Sequence, residues 1–181
     1  MSKLEEKKLD STEYYRNPFL HIHEDNVLLP DGGKSKRIVV THVGAVNIIA
    51  LTAEKKLLLV RQYRYPLGFV TIETPAGKLE PNEAPITTAK RELEEETGYT
   101  CKSLTHLGTH SSAPGFTNEV LHQFLANDVE KMEIAIKGDE DEFTELLMLS
   151  KEDAVKMVAS GEIMDLKTVY AIQYLTLAGL W

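Results

Sequence analysis

Residues 77–99, GKLEPNEAPITTAKRELEEETGY, bring Glu92, Glu95 and Glu96 into one short segment directly after Pro75-Ala76-Gly77. Ile86 to Thr97 contains neither Gly nor Pro and predicts a helix, in which successive residues turn by about 100°. On that helix Glu92 and Glu96 are i,i+4 neighbours and Glu95 lies three beyond Glu92, so three carboxylates share an arc of roughly 100°. Glu94 points away from them. Ile86, Ala89 and Leu93 form a separate apolar stripe that anchors the helix in a core. An acidic helix face is ordinarily a solvated one. Three adjacent carboxylates also repel one another, which costs stability and raises their pKa values, whereas a hard divalent ion such as Mg²⁺ takes carboxylate oxygens by preference. Arg91, four residues before Glu95, is placed to orient that carboxylate. Gly98 predicts a left-handed cap, and Gly77 lets the preceding strand turn close enough for a backbone carbonyl to reach the same metal. The segment reads as strand, glycine loop and metal helix.

Outward from it, the chain has the makings of one domain. With 181 residues, 43% hydrophobic and 27% charged, it is long enough for one sizeable core and short for two. A formal net charge of −8 gives no general attraction to nucleic acid or an anionic membrane, so an anionic substrate has to be won by local Arg, Lys and metal charge. Cys101 stands alone, which rules out an internal disulfide and suits a reducing cytoplasm. No apolar run reaches the length of a membrane span, and the opening MSKLEEKKLD lacks the hydrophobic centre of a signal peptide.

Residues 1 to about 18 are polar and read as loose. Phe19 to Leu29, the turn Pro30-Asp31-Gly32-Gly33 and Lys34 to Val43 predict an antiparallel hairpin. The expected division is therefore an N-terminal extension with a hairpin over residues 1–43 and a main domain over 44–181. Ala45 to Leu51 and Lys56 to Arg64 are continuous apolar strands of the kind found in a central sheet covered on both faces. Period-two alternation sends Arg61 and Tyr63 to one face and Gln62 and Arg64 to the other. Arg64, nearer the strand end, is the better placed to pair a phosphate through its fork of donors. Leu104 to Thr109, Val120 to Leu125 and Phe143 to Leu149 read as further strands. Ser150 with Asp153 opens a helix that Gly161 ends, and a last helix runs from about Asp165 to Leu180. His110 and His122 have no paired spacing and are not read as ligands.

Gly77, Glu83, Arg91, Glu92, Glu95, Glu96 and Gly98, with Leu93 and Tyr99 apolar, reproduce every fixed position of the Nudix box, Gly-x5-Glu-x7-Arg-Glu-U-x-Glu-Glu-x-Gly-U with U apolar. A chance match of that kind arises on the order of once in ten million windows. The chain thus resembles the Nudix hydrolases. Glu73-Thr-Pro-Ala-Gly77, Pro114 sixteen residues beyond Gly98, the run Pro-Gly-Phe-Thr-Asn-Glu119, and Arg61-Gln-Tyr-Arg64 narrow the resemblance to the ADP-ribose pyrophosphatase branch.

That resemblance implies an α/β/α sandwich with a mixed sheet and an N-terminal antiparallel hairpin that exchanges between subunits of a homodimer. It implies Glu92, Glu96, Glu95 and the Ala76 carbonyl as ligands of Mg²⁺, with Mn²⁺ as a substitute. Glu95 and Arg91 are counted among the catalytic residues. The general base falls in the acidic loop Asp139-Glu140-Asp141-Glu142, as Glu142 or Glu140. Arg64 resembles the pyrophosphate-binding arginine, and Arg37 the one that reaches toward the nucleotide across the dimer. Glu119 matches an acid that touches substrate or supports one that does, and Glu80 and Glu83 fall on the substrate side. Val39 stands where the branch often has an acid, a departure at one adenine or ribose contact. The implied reaction is Mg²⁺-dependent cleavage of ADP-ribose to AMP and ribose 5-phosphate, a small-molecule hydrolase with no nucleic-acid or membrane partner. Rival expectations are the same chemistry on another nucleoside diphosphate derivative, a nucleotide sensor that does not cut, and an interaction domain whose acidic helix meets a basic partner.

Overall fold

The computed structural model describes residues 3–134 and 143–181. The chain divides into two units, one made of residues 1–44 with 109–121 and the other of 45–108 with 122–181.

The first unit is a three-stranded antiparallel sheet in chain order, β1 (Lys7–Arg16), β2 (Leu20–Leu28) and β3 (Lys34–His42). The expected β2–β3 hairpin is present, its register unbroken from Leu20 opposite His42 to Leu28 opposite Lys34. β1 corrects the expectation of a loose segment up to Phe19. Its polar side chains find partners across the sheet: the Ser11 hydroxyl donates to Asp25 at 2.6 Å, and Lys8 Nζ lies 2.9 Å from the same carboxylate. Alternation along one strand does not reveal such cross-strand pairs. Residues 109–121 return to the outer edge of β3, where the Val40 N–H donates to the Phe116 carbonyl at 2.7 Å and the His42 N–H to Asn118 Oδ1 at 2.8 Å.

The second unit holds β4 (Ala45–Ala50), β5 (Leu57–Arg64), β6 (Phe69–Glu73), β7 (Ala76–Lys78) and β10 (Thr144–Leu149). The long strands β8 (Tyr99–Ser111) and β9 (Val120–Lys131) complete the ladder. Two sheets result, ordered β7-β4-β9-β8 and β10-β5-β6. The two apolar strands therefore do not share one central sheet. β4 and β5 lie in different sheets, and a bridge between Leu51 and Leu57 joins their ends.

Both strands are apolar on both faces because they feed two cores. Val46, Ile48 and Ala50 of β4 and Leu58 of β5 pack with Phe124 and with Ala89 and Leu93 of helix α1 (Pro85–Thr97). Ile49, Leu57 and Leu59 face the other way, toward Ala154 of α2 (Lys151–Ser160) and Ala171, Ile172 and Leu175 of α3 (Leu166–Leu177). Helices thus cover the sheets on both sides, the α/β/α sandwich of a mixed α/β chain.

The helix ends follow the sequence signals. Pro85 starts α1, Gly98 caps it at φ 70°, and Ser150 accepts from the Asp153 N–H to open α2. Two details differ from expectation. Ile86 is half exposed, because in the first turn of α1 it borders a groove with Lys90 and Leu104 instead of the core. α3 ends at Leu177, where Gly179 takes φ 65° and breaks the helical path. β8 and β9 run longer than their apolar segments indicate. No described helix is long and apolar enough to cross a membrane.

Candidate active site

The loop before the box is held by buried polar groups set in apolar surroundings. Asn47, fully buried in β4, donates its amide to Gln123 and accepts from the Thr74 hydroxyl at 2.5 Å. The Thr74 N–H donates to Thr168 Oγ1 at 2.8 Å, and that hydroxyl donates to Asp165 at 2.6 Å. The Pro75 carbonyl accepts from Ile48 at 2.9 Å, and β7 pairs with β4 so that Ala76 sits opposite Asn47 and Gly77 opposite Val46. Residues 74–77 are therefore stitched to a central strand and to the start of α3. Sequence reasoning missed Asn47 and Thr168. Its one available signal was a lone amide inside the run Ala-Val-Asn-Ile-Ile, which a buried strand tolerates only when the amide is hydrogen-bonded.

Helix α1 brings its carboxylates to this loop. Glu96 Oε2 accepts from the Ala76 N–H at 3.0 Å. Glu92, only 7% exposed, lies so close to Gly77 that a Cβ there would fall 1.9 Å from its Oε1. That contact is the reason for a glycine at 77. Arg91 braces the helix face, with Nη1 2.9 Å from both Glu92 Oε1 and Glu95 Oε2 and Nη2 3.3 Å from Glu83. Burial opposes the guanidinium charge, but Glu83, Glu92 and Glu95 outweigh it and hold the pKa above its ordinary value. Glu83 accepts from the Thr88 hydroxyl at 2.8 Å. Burial pushes the Glu83 carboxyl up, and the Arg91 and Thr88 hydrogen bonds bring it below the ordinary carboxylate range. Glu94 does point away, toward Thr100 Oγ1 at 2.6 Å.

A second ionic cluster surrounds Glu73. Arg64 Nε and Nη2 donate to its two oxygens at 2.7 Å each, Lys167 donates to Oε2, and the Thr71 hydroxyl donates to Oε1 at 2.5 Å. Lys167 also lies 3.1 Å from Asp165. Burial raises the Glu73 pKa, but the Arg64 hydrogen bonds and the Lys167 charge prevail and set it at about 2. Arg64 stays charged through its bond to Glu73, and it also senses the charge of Glu96. Glu96 of the box and the arginine therefore share one electrostatic neighbourhood.

Other expected residues fall elsewhere. Arg37 and Glu119 belong to the first unit. There Arg37 forms a fork with Glu6, at 3.0 and 2.6 Å, and Glu119 lies 3.3 Å from His42 Nδ1. Glu80 is exposed, and its carbonyl closes a turn by accepting from the Glu83 N–H at 3.1 Å. Glu140 and Glu142 lie outside the described residues.

The three carboxylates on one face of α1 are donors of the kind a hard divalent cation takes. The open cradle at Gly77 admits the Glu92 carboxylate to the loop. Among the described residues no three acidic, His or Cys side chains converge at ligating distance. Arg91 holds Glu92 and Glu95 to itself instead.

Two outcomes follow from these contacts. Gly77→Ala places a methyl where Glu92 sits, so a divalent ion should raise the melting temperature of the variant less than that of the wild type, with affinity down roughly 10- to 100-fold. A calorimetric Mg²⁺ titration reads this directly. Glu73 has a folded-state pKa below its ordinary 4.5, so its stabilisation is present above that value and lost as pH falls toward about 2. The amount is on the order of 3 kcal/mol. The stability gap between wild type and Glu73→Gln should close across that acid range in urea unfolding, and an unchanged gap contradicts the assignment.

Comparison with known proteins places this geometry in a family. The NUDIX domain matches residues 41–167, and the nucleoside diphosphate sugar hydrolase N-terminal domain matches residues 6–40. A Bacillus subtilis (strain 168) protein described as ADP-ribose pyrophosphatase is 46% identical over 98% of this chain and 96% of its own. A Bacillus methanolicus protein described as methanol dehydrogenase activator is 44% identical over the same shares. The crystal structure of an ADP compounds hydrolase superposes with a TM-score of 0.82 at 20% identity, covering 99% of this chain and 98% of that one, and shows a common fold. With the box complete on α1 and the domain match spanning 41–167, the chain belongs to the NUDIX domain family.

Proposed function

We propose that the protein is a Mg²⁺-dependent pyrophosphohydrolase that cleaves ADP-ribose to AMP and ribose 5-phosphate, with Mn²⁺ as an alternative ion. The observation that carries this reading is the docking of Glu92 and Glu96 against the Ala76-Gly77 loop, with Glu95 held beside them by Arg91 and with Arg64 near enough to feel the Glu96 charge. The choice of ADP-ribose is supported by the Bacillus subtilis relative of that description and by the Pro114 loop. A cytoplasmic setting is part of the reading, in keeping with the single Cys101.

The residues that would hold the ion are Glu92, Glu95, Glu96 and the Ala76 carbonyl. When bound, a divalent ion neutralises charge on the two phosphoryl groups and acidifies water. The rest falls to the chain. Arg91 pairs with Glu92 and Glu95 and so offsets part of the repulsion within the carboxylate face. Arg64 donates to a phosphate as charge builds on it. Water attacks phosphorus, the bond to the bridging oxygen breaks, and the water proton passes to Glu142 or Glu140. Glu119, Glu80 and Glu83 line the substrate side, and Arg37 reaches the nucleotide from the partner subunit of a homodimer. An exchanged N-terminal sheet is supported by β1, exposed at every residue and carrying Leu9, Tyr14 and Tyr15.

The purified protein should release AMP from ADP-ribose with Mg²⁺ and not with excess chelator, and should do so faster than from other nucleoside diphosphate sugars. Glu96→Gln removes a ligand charge at nearly constant volume, so turnover at limiting Mg²⁺ should fall at least about tenfold. Activity within a few-fold of wild type disproves the metal assignment. Light scattering after size exclusion should give twice the monomer mass, and removal of residues 1–43 should abolish that dimer.

A further inference from the structure

We propose that Glu73 is a positioning residue for the reaction, holding Arg64 as a preset anion fork and itself held by Lys167 at the start of α3. The inference rests on the diphosphate-hydrolase reading of the site. Glu73 uses both oxygens against Arg64 Nε and Nη2, which fixes the guanidinium plane, and leaves Nη1 without a partner among the described residues. The Arg64 side chain is 41% exposed while Glu73 is 4% and Lys167 10% exposed. The cluster is therefore buried at its carboxylate and open at its guanidinium.

The same stretch carries the metal loop. Glu73 is followed by Thr74, whose N–H donates to Thr168 of α3, and by Ala76, whose N–H donates to Glu96. Lys167, at the head of α3, holds Glu73 from behind and is itself paired with Asp165 at 3.1 Å, so the two acids and two cations balance in charge. A buried ion cluster adds little net stability over apolar packing of the same volume, so stability alone does not explain it. A guanidinium fixed in advance loses less freedom on meeting a phosphate, which does. α3, distant in sequence from the box, thereby sets the angle at which Arg64 meets its anion.

A double-mutant cycle tests this. Wild type, R64A, E73Q and the R64A/E73Q pair are compared by KM and kcat for ADP-ribose and by the Kd for inorganic diphosphate, the latter by calorimetry. E73Q should raise KM and Kd roughly tenfold or more while kcat changes less. R64A/E73Q should be no worse than R64A alone, because Glu73 acts through Arg64. Losses that multiply in the pair overturn the proposal, and so does tighter diphosphate binding by E73Q, which would make Glu73 a competitor for Arg64. K167M keeps the Glu73–Arg64 pair but removes the ion pair that ties Glu73 to α3, and should weaken diphosphate in the same direction by a smaller factor. If E73Q fails to fold, an unchanged Kd in K167M is the overturning result. A wild type that binds diphosphate but releases AMP from no nucleotide sugar ends the hydrolase reading while the Kd cycle still decides the role of Glu73. A wild type that binds no diphosphate overturns the role as well.

Discussion

Glu92 lies against the backbone of Gly77 at a distance that no residue with a Cβ permits. Much of the site depends on this approach. It seats the helix carboxylates on a loop whose own position is dictated by the sheet, through the Pro75 carbonyl and the β4–β7 pairing. A carboxylate brought that close to backbone with little access to water needs a countercharge. Arg91 supplies it, and by touching Glu83, Glu92 and Glu95 together it ties the loop before α1 to the helix. Glycine and arginine thus serve one constraint: three like charges must be presented in a group without repelling the helix off its core.

The cores explain how so polar a loop is supported. β4 and β5 send alternate side chains to two apolar clusters, one closed by α1 and the other by α2 and α3. Where β4 passes beneath the loop it carries Asn47 instead of an apolar residue, and the amide joins Gln123, Thr74 and Thr168 in a buried chain. Such a chain is stable only when each member is satisfied, and then it specifies one arrangement. The Glu73 cluster continues the chain toward Arg64. Rigid polar connections therefore run from the α3 end of the second core to the carboxylate face of α1, entirely within the second unit.

The box was legible because its meaning is local. Spacing of three and four along α1 put Glu92, Glu95 and Glu96 on one face, and the i,i+4 relation of Arg91 to Glu95 appears as a 2.9 Å contact. Gly98, Gly161 and the Ser150–Asp153 cap behave as their local chemistry dictates. The hairpin after Phe19 was readable from alternation and a turn. β1 was not, because its residues are polar and gain order only from Ser11 and Lys8 meeting Asp25 across the sheet. Continuous apolar runs announced strands buried on both faces, but the same pattern serves one sheet or two, and here it serves two.

By itself the sequence determined what depends on neighbours within about one helical turn or one strand: the carboxylate face, the caps, the hairpin, the family. Tertiary structure alone decided which distant groups meet. Glu73 and Lys167 are 94 residues apart, as are Thr74 and Thr168, and Arg37 pairs with Glu6 at a separation of 31. Periodicity reports the face a residue occupies and not the partner waiting there, since that depends on how separately formed elements pack. Arg64 shows the difference. Alternation assigned its face and chemistry assigned its taste for anions, but only the pairing of β6 with β5 supplied the carboxylate that holds it, and only the packing of α3 supplied the lysine behind that carboxylate.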